Sequence, residues 1–178
     1  MGPIPPESYP LFNRDGIDIA SHRLRCLHFF KAGSTTMAVT QSRRIDFPQV
    51  DMAGIVYYPE YWDMCHRFFE GSWPQIAKID YPTLIGERRI GFPAVDNKAT
   101  FHAPLRYGDV VECRLWISKV GNTSLEWQYR YFNQGGDLVW SASVMTVCVD
   151  MESLKPMVIP EDLRAGLAAT TADGESNE

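Results

Sequence analysis

Apolar and polar residues alternate with a period of two through most of the chain beyond residue 94. This period is typical of β-strands, because successive side chains point to opposite faces of a sheet. The alternation predicts four strands, at residues 95–103, 110–120, 125–131 and 138–150. The pair Gly135-Gly136 predicts a hairpin turn between the last two. A strand-like stretch at 40–47 precedes them, and residues 156–159 are predicted to form a short final strand.

One earlier segment repeats its apolar residues with the spacing of a helix. They fall at i, i+3, i+4, i+7 and i+8: Tyr61, Met64, Cys65, Phe68 and Phe69. This stripe predicts an amphipathic helix with one buried face. Gly71 and Pro74 predict where that helix ends. A second, short helix is expected at 81–86, and the start of a third at Pro160.

One long helix with four or five long antiparallel strands predicts an α+β fold, with a curved antiparallel sheet wrapped around the helix. The strands carry apolar residues on both faces, and a single helix covers one of them. Part of the sheet is therefore expected to meet a second copy of the chain through its edge. The predicted organisation is a poorly packed extension at 1–36, a domain at 37–164 and a flexible tail at 165–178.

Composition and charge exclude several classes of protein. The formal net charge of −5 argues against nucleic-acid binding through a broad basic surface. No apolar run approaches the roughly 20 residues of a membrane helix, so no membrane insertion is expected. The N-terminus lacks the pattern of a secretory signal, and a cytoplasmic location is expected. The four cysteines are far apart, which predicts small core residues rather than a metal site or a disulfide framework.

The most informative stretch surrounds Asp51. This carboxylate precedes a glycine turn at Gly54, and Tyr58-Pro59 then opens the long helix. The first backbone N–H groups of a helix have no partner within it and lie at the positive end of its dipole. A carboxylate beside such a helix start suits attack on an acyl carbonyl. The plain alternative is an ordinary turn or N-cap aspartate.

The residues from Asp51 to Tyr61, DMAGIVYYPEY, resemble the signature of the 4-hydroxybenzoyl-CoA thioesterase family of hotdog-fold proteins. The family pattern is close to D-x-A-G-I-V-[aromatic]-Y-P-x-[YF], with the catalytic Asp before the helix. The stretches Gly91–Phe101 and Tyr107–Glu112 are also similar to family segments. The resemblance covers about residues 37–164.

The resemblance implies a hotdog fold and an acyl-CoA thioesterase. Asp51 takes the role of nucleophile or general base, and the backbone N–H of Tyr58 polarises the thioester carbonyl. Gly54 gives the turn its shape and lets the substrate approach closely. Coenzyme A is part of the substrate, so no separate cofactor or metal is implied. The implied assembly is a homodimer or a dimer of dimers (a homotetramer), with the active site between subunits.

His66 stands where family members that act on 4-hydroxybenzoyl thioesters have an acidic residue. It either lines an acyl pocket or packs on the helix flank. The departure leaves a benzoyl or hydroxybenzoyl-like group, another aromatic group and a medium-length acyl group all open. Gln49 likewise stands where some relatives have a second acid.

The basic residues considered for the coenzyme A phosphates are Arg88, Arg89, Arg106 and Lys119. Lys119 is the preferred one, because it lies at a strand-end turn of the kind that contacts nucleotides in this fold. For each of the four, the alternative is a solvated surface charge. His102, beside Ala103-Pro104, is predicted to have a structural role.

Two other functions remain open. One is a short-chain acyl-CoA thioesterase of the type associated with the Tol-Pal envelope system. That type usually has His where this chain has Pro59, so Tyr58-Pro59 favours an aromatic substrate. The other is a catalytically silent hotdog protein that binds acyl thioesters. The presence of Asp51 argues against it, because a binding protein needs no charge aimed at the carbonyl.

Overall fold

The computed structural model describes residues 38–170. The predicted extension at 1–36, Cys26 and residues 171–178 lie outside the described residues. The predicted poorly packed extension, and the predicted flexible tail beyond residue 170, therefore remain predictions.

Five strands form one antiparallel sheet in the order β1-β4-β5-β6-β3. They are β1 (Val39–Arg44), β3 (Ala94–Phe101), β4 (Val110–Val120), β5 (Ser124–Phe132) and β6 (Leu138–Val147). Two short strands, β2 (Ile90–Gly91) and β7 (Val149–Asp150), pair with each other separately. The strands predicted at 95–103, 110–120 and 125–131 are confirmed. The strand predicted at 138–150 is interrupted at Cys148, since β6 ends at Val147 and β7 pairs with β2 instead. The stretch at 40–47 forms a strand only to Arg44, after which Pro48 lies in a 3-10 turn at Phe47–Gln49.

The long helix α1 (Tyr58–Ala77) packs its apolar face against the sheet. Phe68 meets Tyr131 edge-on with ring centroids 5.5 Å apart, and Phe69 meets Trp127 at 5.0 Å. The side chains of Trp127, Tyr129 and Tyr131 are almost completely buried and belong to the core between sheet and helix. The predicted α+β architecture, a sheet against one long helix, is confirmed, as is the short helix α2 (Tyr81–Gly86).

The predicted end of α1 at Gly71 and Pro74 is wrong. The helix continues to Ala77 with Pro74 inside it, and Lys78 then leaves it in the left-handed conformation with φ of +58°. Burial explains the difference, because Trp73 and Ile76 belong to the core and hold the last turn in place. Tertiary packing here outweighs the cost of a proline in a helix interior.

The C-terminal part also differs from prediction. Residues 156–159 make isolated contacts, such as the bridge between Val149 and Pro156, and form no strand. Proline donates no backbone hydrogen bond, which limits pairing at this point. The helix predicted to start at Pro160 is α3 (Glu161–Ala169), so the predicted domain boundary at 164 falls inside it. Leu167 is buried in the core, and Ile117 of β4 donates its N–H to the Thr170 carbonyl at 2.6 Å.

Cys65, Cys113 and Cys148 are buried free thiols, which confirms their prediction as core residues. Burial raises the pKa of Cys65 to about 12. This thiol therefore stays protonated at neutral pH and is a poor nucleophile.

The edge strand β3 contrasts with the rest of the sheet. All eight of its residues are exposed, including the apolar Val95 and Phe101. A long edge strand with exposed apolar side chains is a surface that proteins normally cover.

Candidate active site

Asp51 lies in a tight turn at the start of the loop that leads into α1. Its N–H donates to the Ile55 carbonyl at 2.9 Å, and the Gly54 N–H donates to the Asp51 carbonyl at 2.9 Å. Gly54 has φ of +73°, a left-handed conformation that suits glycine. One carboxylate oxygen of Asp51 accepts from the Ala53 N–H at 2.8 Å. The turn therefore holds the side chain of Asp51 through its own backbone.

Gln49 connects the segment before the Asp51 turn to the start of α1 through hydrogen bonds. It is a buried polar residue, 5% exposed. Its Oε1 accepts from the Asp46 N–H at 3.0 Å, its Nε2 donates to Glu60 at 3.3 Å, and its carbonyl accepts from the Tyr57 N–H at 2.9 Å. Sequence reasoning missed this positioning role. The signal was the spacing of Asp46 and Gln49, which matches a capping box.

Helix α1 begins at Tyr58, directly after Tyr57. Pro59 at the second helical position has no N–H, so this position leaves no unpaired backbone donor. Among the hydrogen bonds of residues 38–170, none uses the Tyr58 N–H as donor. This amide is available to a ligand.

Asp51 and Tyr58 line one cavity of about 520 Å³. Its remaining lining comes from the same loop, from α1 and from the end of β3: Ile55, Val56, Tyr57, Tyr61, Phe101, His102, Ala103 and Pro104. Asp51 is exposed, yet it faces a cleft that begins at the helix start. The structure thus brings the two predicted catalytic residues together.

Two aromatic side chains form the inner wall of this cavity. Tyr61 and Phe101 meet edge-on with ring centroids 5.1 Å apart. The Tyr61 hydroxyl accepts from the Leu105 N–H at 3.3 Å, and burial raises the pKa of this phenol above its usual value. Tyr61 therefore stays neutral and contributes apolar surface to the cavity.

His102 also lines this cavity. Its Nε2 lies 3.0 Å from the Ser141 hydroxyl, which holds the ring. The contact agrees with the predicted structural role, but the location beside Asp51 was not foreseen. The position of His102 depends on the pairing of β3 with β6. Residues near His102 in the sequence give no indication of it.

His66 lines a second cavity, of about 250 Å³, between α1 and the start of β3. Most of its walls are aromatic or apolar: Trp62, Cys65, Phe69, Tyr81, Phe92, Pro93, Ala94, Asn97, Tyr129, Val144 and Thr146. The His66 ring stacks on Phe69 at 5.9 Å, and its Nε2 is 3.1 Å from Glu70. His66 thus both lines a cavity and packs on the helix flank.

Lys119 is not brought to Asp51 within one chain. The Val110 end of β4 adjoins the loop whose Arg106 reaches Gly54. Lys119 is close to the opposite end of this strand, on the order of 30 Å away along it. Arg88 is engaged elsewhere, in two hydrogen bonds of 2.6 and 3.1 Å to Asp162.

Within residues 38–170, no group of three or more His, Cys, Asp or Glu side chains is arranged to hold a metal ion. The part of the chain that the structure describes also contains no helix both long enough and apolar enough to cross a bilayer.

Residues 45–167 match the model of the thioesterase-like superfamily. A 1,4-dihydroxy-2-naphthoyl-CoA hydrolase of Crocosphaera subtropica is 33% identical over 96 residues, which cover 54% of this chain and 69% of the relative. The acyl-CoA thioester hydrolase YbgC of Escherichia coli is 27% identical over 125 residues, covering 68% and 90%.

Solved structures agree with this match. The gentisyl-coenzyme A thioesterase BH1999 aligns with a TM-score of 0.65 and 27% identity, over 71% of this chain and 99% of that one. The family model spans most of the chain, including the Asp51 turn, α1 and the whole sheet after β1. The chain therefore belongs to the thioesterase-like superfamily and is a thioester hydrolase with the hotdog fold.

Proposed function

We propose that this chain hydrolyses an aromatic acyl-CoA to the free acid and coenzyme A. The observation that carries the proposal is the single cavity lined by the Asp51 carboxylate and the start of α1 at Tyr58. In such a cavity the Asp51 carboxylate can act on the carbonyl carbon, and the Tyr58 N–H can donate a hydrogen bond to the resulting oxyanion.

The Tyr58 N–H donates to the carbonyl oxygen of the bound thioester. Negative charge develops on this oxygen as the carbonyl carbon becomes tetrahedral, and the positive end of the helix dipole favours it. Asp51 either attacks the carbonyl carbon directly or removes a proton from a water molecule that attacks it. The C–S bond then breaks, and the thiolate of coenzyme A leaves without strong acid assistance. When water attacks, this step gives the free acid. When Asp51 attacks, it gives an acyl-Asp51 anhydride, which water then hydrolyses to release the acid and restore the carboxylate.

The second cavity supports an aromatic acyl group. Its walls include Trp62, Phe69 and Tyr81, while His66 and Asn97 provide polar groups for a ring substituent. Two of the similar proteins are named for the hydroxylated aromatic acyl groups gentisyl and 1,4-dihydroxy-2-naphthoyl. A short aliphatic acyl group, as implied by the resemblance to the Tol-Pal-associated type, is the second candidate. The predicted cytoplasmic location remains a prediction.

The two cavities lie at opposite ends of β3. The Asp51 cavity includes Phe101 and the residues after it, whereas the aromatic cavity includes Ala94 and Asn97. If two copies pair antiparallel along β3, the Phe101 end of one strand meets the Ala94 end of the other. We propose this dimer, because it covers the exposed edge and joins each Asp51 cavity to the aromatic cavity of the partner. A dimer of such dimers stays a prediction.

Substituting Val95 with Asp tests the dimer. Val95 is 58% exposed on β3, and a charge buried in the proposed interface is expected to dissociate the dimer and remove most of the activity. Sedimentation velocity and thioester hydrolysis would be measured together. Val158→Asp is the matched control, since this valine is 54% exposed outside the sheet. A Val95→Asp chain that stays dimeric would refute the proposed edge.

Substituting His66 with Ala tests the acyl pocket. The variant is expected to change the ranking of benzoyl-, hydroxybenzoyl-, phenylacetyl- and short aliphatic CoA esters, with a smaller loss of rate than at Asp51. The assay is release of free thiol from each ester. An unchanged ranking would argue against a pocket role for His66. No turnover of any ester by the unmodified chain would favour the silent binding protein.

A further inference from the structure

A group of basic and aromatic side chains adjoins the Asp51 turn. It consists of Arg44, Phe47, Arg106 and Tyr107, and we call it the arginine rim. Arg44 is the last residue of β1, and its strand partner is Val110 at the start of β4. All four residues are exposed.

Arg106 is the member nearest to the proposed catalytic group. Its Nη1 lies 3.5 Å from the carbonyl oxygen of Gly54, in the same turn as Asp51. The backbone of Arg106 is fixed by a second turn, in which the Asp109 N–H donates to its carbonyl at 3.1 Å. Gly108 within that turn has φ of +87°, which glycine adopts readily. The guanidinium of Arg106 thus lies next to the turn that contains Asp51.

The aromatic members of the rim contact each other and Arg44. The rings of Tyr107 and Phe47 meet edge-on at 5.9 Å, and the guanidinium carbon of Arg44 lies 5.8 Å from the Tyr107 ring centroid. Phe47 is 72% exposed. Large aromatic side chains grouped at a surface indicate a binding site rather than core packing.

The rim carries two guanidinium groups in an acidic chain. Within residues 38–170, neither Arg44 nor Arg106 takes part in an ion pair. Asp46 and Asp109 are the carboxylates of the same two segments. Asp109 already accepts hydrogen bonds from the Arg106 N–H at 2.7 Å and from Gln134 at 2.9 Å. Both guanidinium groups remain able to bind an anion.

We infer that the arginine rim binds the nucleotide part of coenzyme A. Arg44 and Arg106 contact its phosphates, because a guanidinium matches the geometry of phosphate oxygens. The rings of Tyr107 and Phe47 provide apolar surface for the adenine. This inference rests on the proposed acyl-CoA thioesterase function and assigns to the rim the phosphate contact predicted for Lys119.

The test compares two thioesters with the same acyl group. Benzoyl-CoA carries the nucleotide, whereas the benzoyl thioester of N-acetylcysteamine lacks it. For the double variant Arg44→Ala/Arg106→Ala, we expect kcat/KM on benzoyl-CoA to fall roughly 10- to 100-fold, the size of two lost charge-assisted contacts. On the truncated thioester, kcat/KM is expected to stay unchanged. Salt should weaken benzoyl-CoA binding less in the double variant than in the unmodified chain.

Calorimetric titration with free coenzyme A gives a readout that does not depend on hydrolysis. Weaker binding by the double variant would support the rim even if the unmodified chain hydrolysed neither ester, which would refute the proposed function alone. Arg67→Ala is the matched control, because Arg67 is exposed and pairs with Asp63 on α1. It is expected to match the unmodified chain in every assay, and equal unfolding temperatures would establish that all variants fold.

Two results would overturn the inference. An equal loss on both thioesters would mean that the rim shapes the Asp51 turn and does not hold the nucleotide. Unchanged coenzyme A binding in the double variant, with weaker binding in Lys119→Ala, would place the phosphates at the other end of β4. If the double variant does not fold, each single variant is tested in the same way, with a smaller expected loss.

Discussion

Replacing Asp51 with Asn is expected to lower kcat by at least about two orders of magnitude, a size typical for loss of a nucleophile or general base. The amide is nearly the same size as the carboxylate and still accepts a hydrogen bond from the Ala53 N–H. The turn should therefore keep its shape while losing its reactive charge. Free thiol release from the preferred aromatic acyl-CoA measures the rate.

Asp150 provides the matched control for this experiment. It also lies in a turn, where its carboxylate accepts from the Glu152 N–H two residues later at 3.2 Å. Asp150→Asn is expected to leave kcat unchanged. Binding of coenzyme A by Asp51→Asn should also persist, which calorimetry can establish. Substantial activity in Asp51→Asn would refute the proposed role of this residue.

Replacing Gly166 with Ala is expected to give the largest loss of stability. Gly166 lies in α3 against the end of α1, where an added Cβ atom would overlap the backbone carbonyl of Ile76. A backbone carbonyl cannot rotate out of the way as a flexible side chain could. Helix α3 must therefore move away from α1, which disturbs the packing of its buried residue Leu167. We expect a loss of about 3 kcal/mol, at the upper end of ordinary overpacking. The unfolding temperature should fall by roughly 10 °C for a domain of this size.

Gly86→Ala is the control for that comparison. Gly86 is also a helical glycine, at the end of α2, but an added Cβ atom there meets no atom within 4 Å. Its unfolding temperature should stay the same or rise slightly, because alanine favours the helix. Equal unfolding temperatures for the two variants would contradict the prediction, because they would mean that α3 can move away from Ile76 without loss of stability.

Most of the fold was predictable, because apolar and polar residues alternate along each strand and so mark out the strands in the sequence. The alternation over residues 125–131 predicted the strand β5. The spacing from Tyr61 to Phe69 predicted α1. The end of α1 was not predictable, since Pro74 is a local signal against a helix and burial of Ile76 is a tertiary effect. The extent of α3 was missed for a similar reason, because the segment after 164 gains its apolar contacts from α1.

The candidate site was predictable where its residues are consecutive. Asp51, Gly54 and Tyr58 lie within one turn and one helix start, so their proximity follows from local structure. His102 and Arg106 reach the same place through the pairing of strands, and no sequence spacing reveals it.

The division of the site between the two ends of β3 has a consequence for how the enzyme works at low abundance. In the proposed arrangement, an isolated chain holds an acid group without the acyl-binding wall that faces it. Below the dissociation constant of the pair, turnover would then rise with the square of the amount of chain rather than in proportion to it. Newly made chains would leave cellular thioesters intact until enough of them had accumulated to meet.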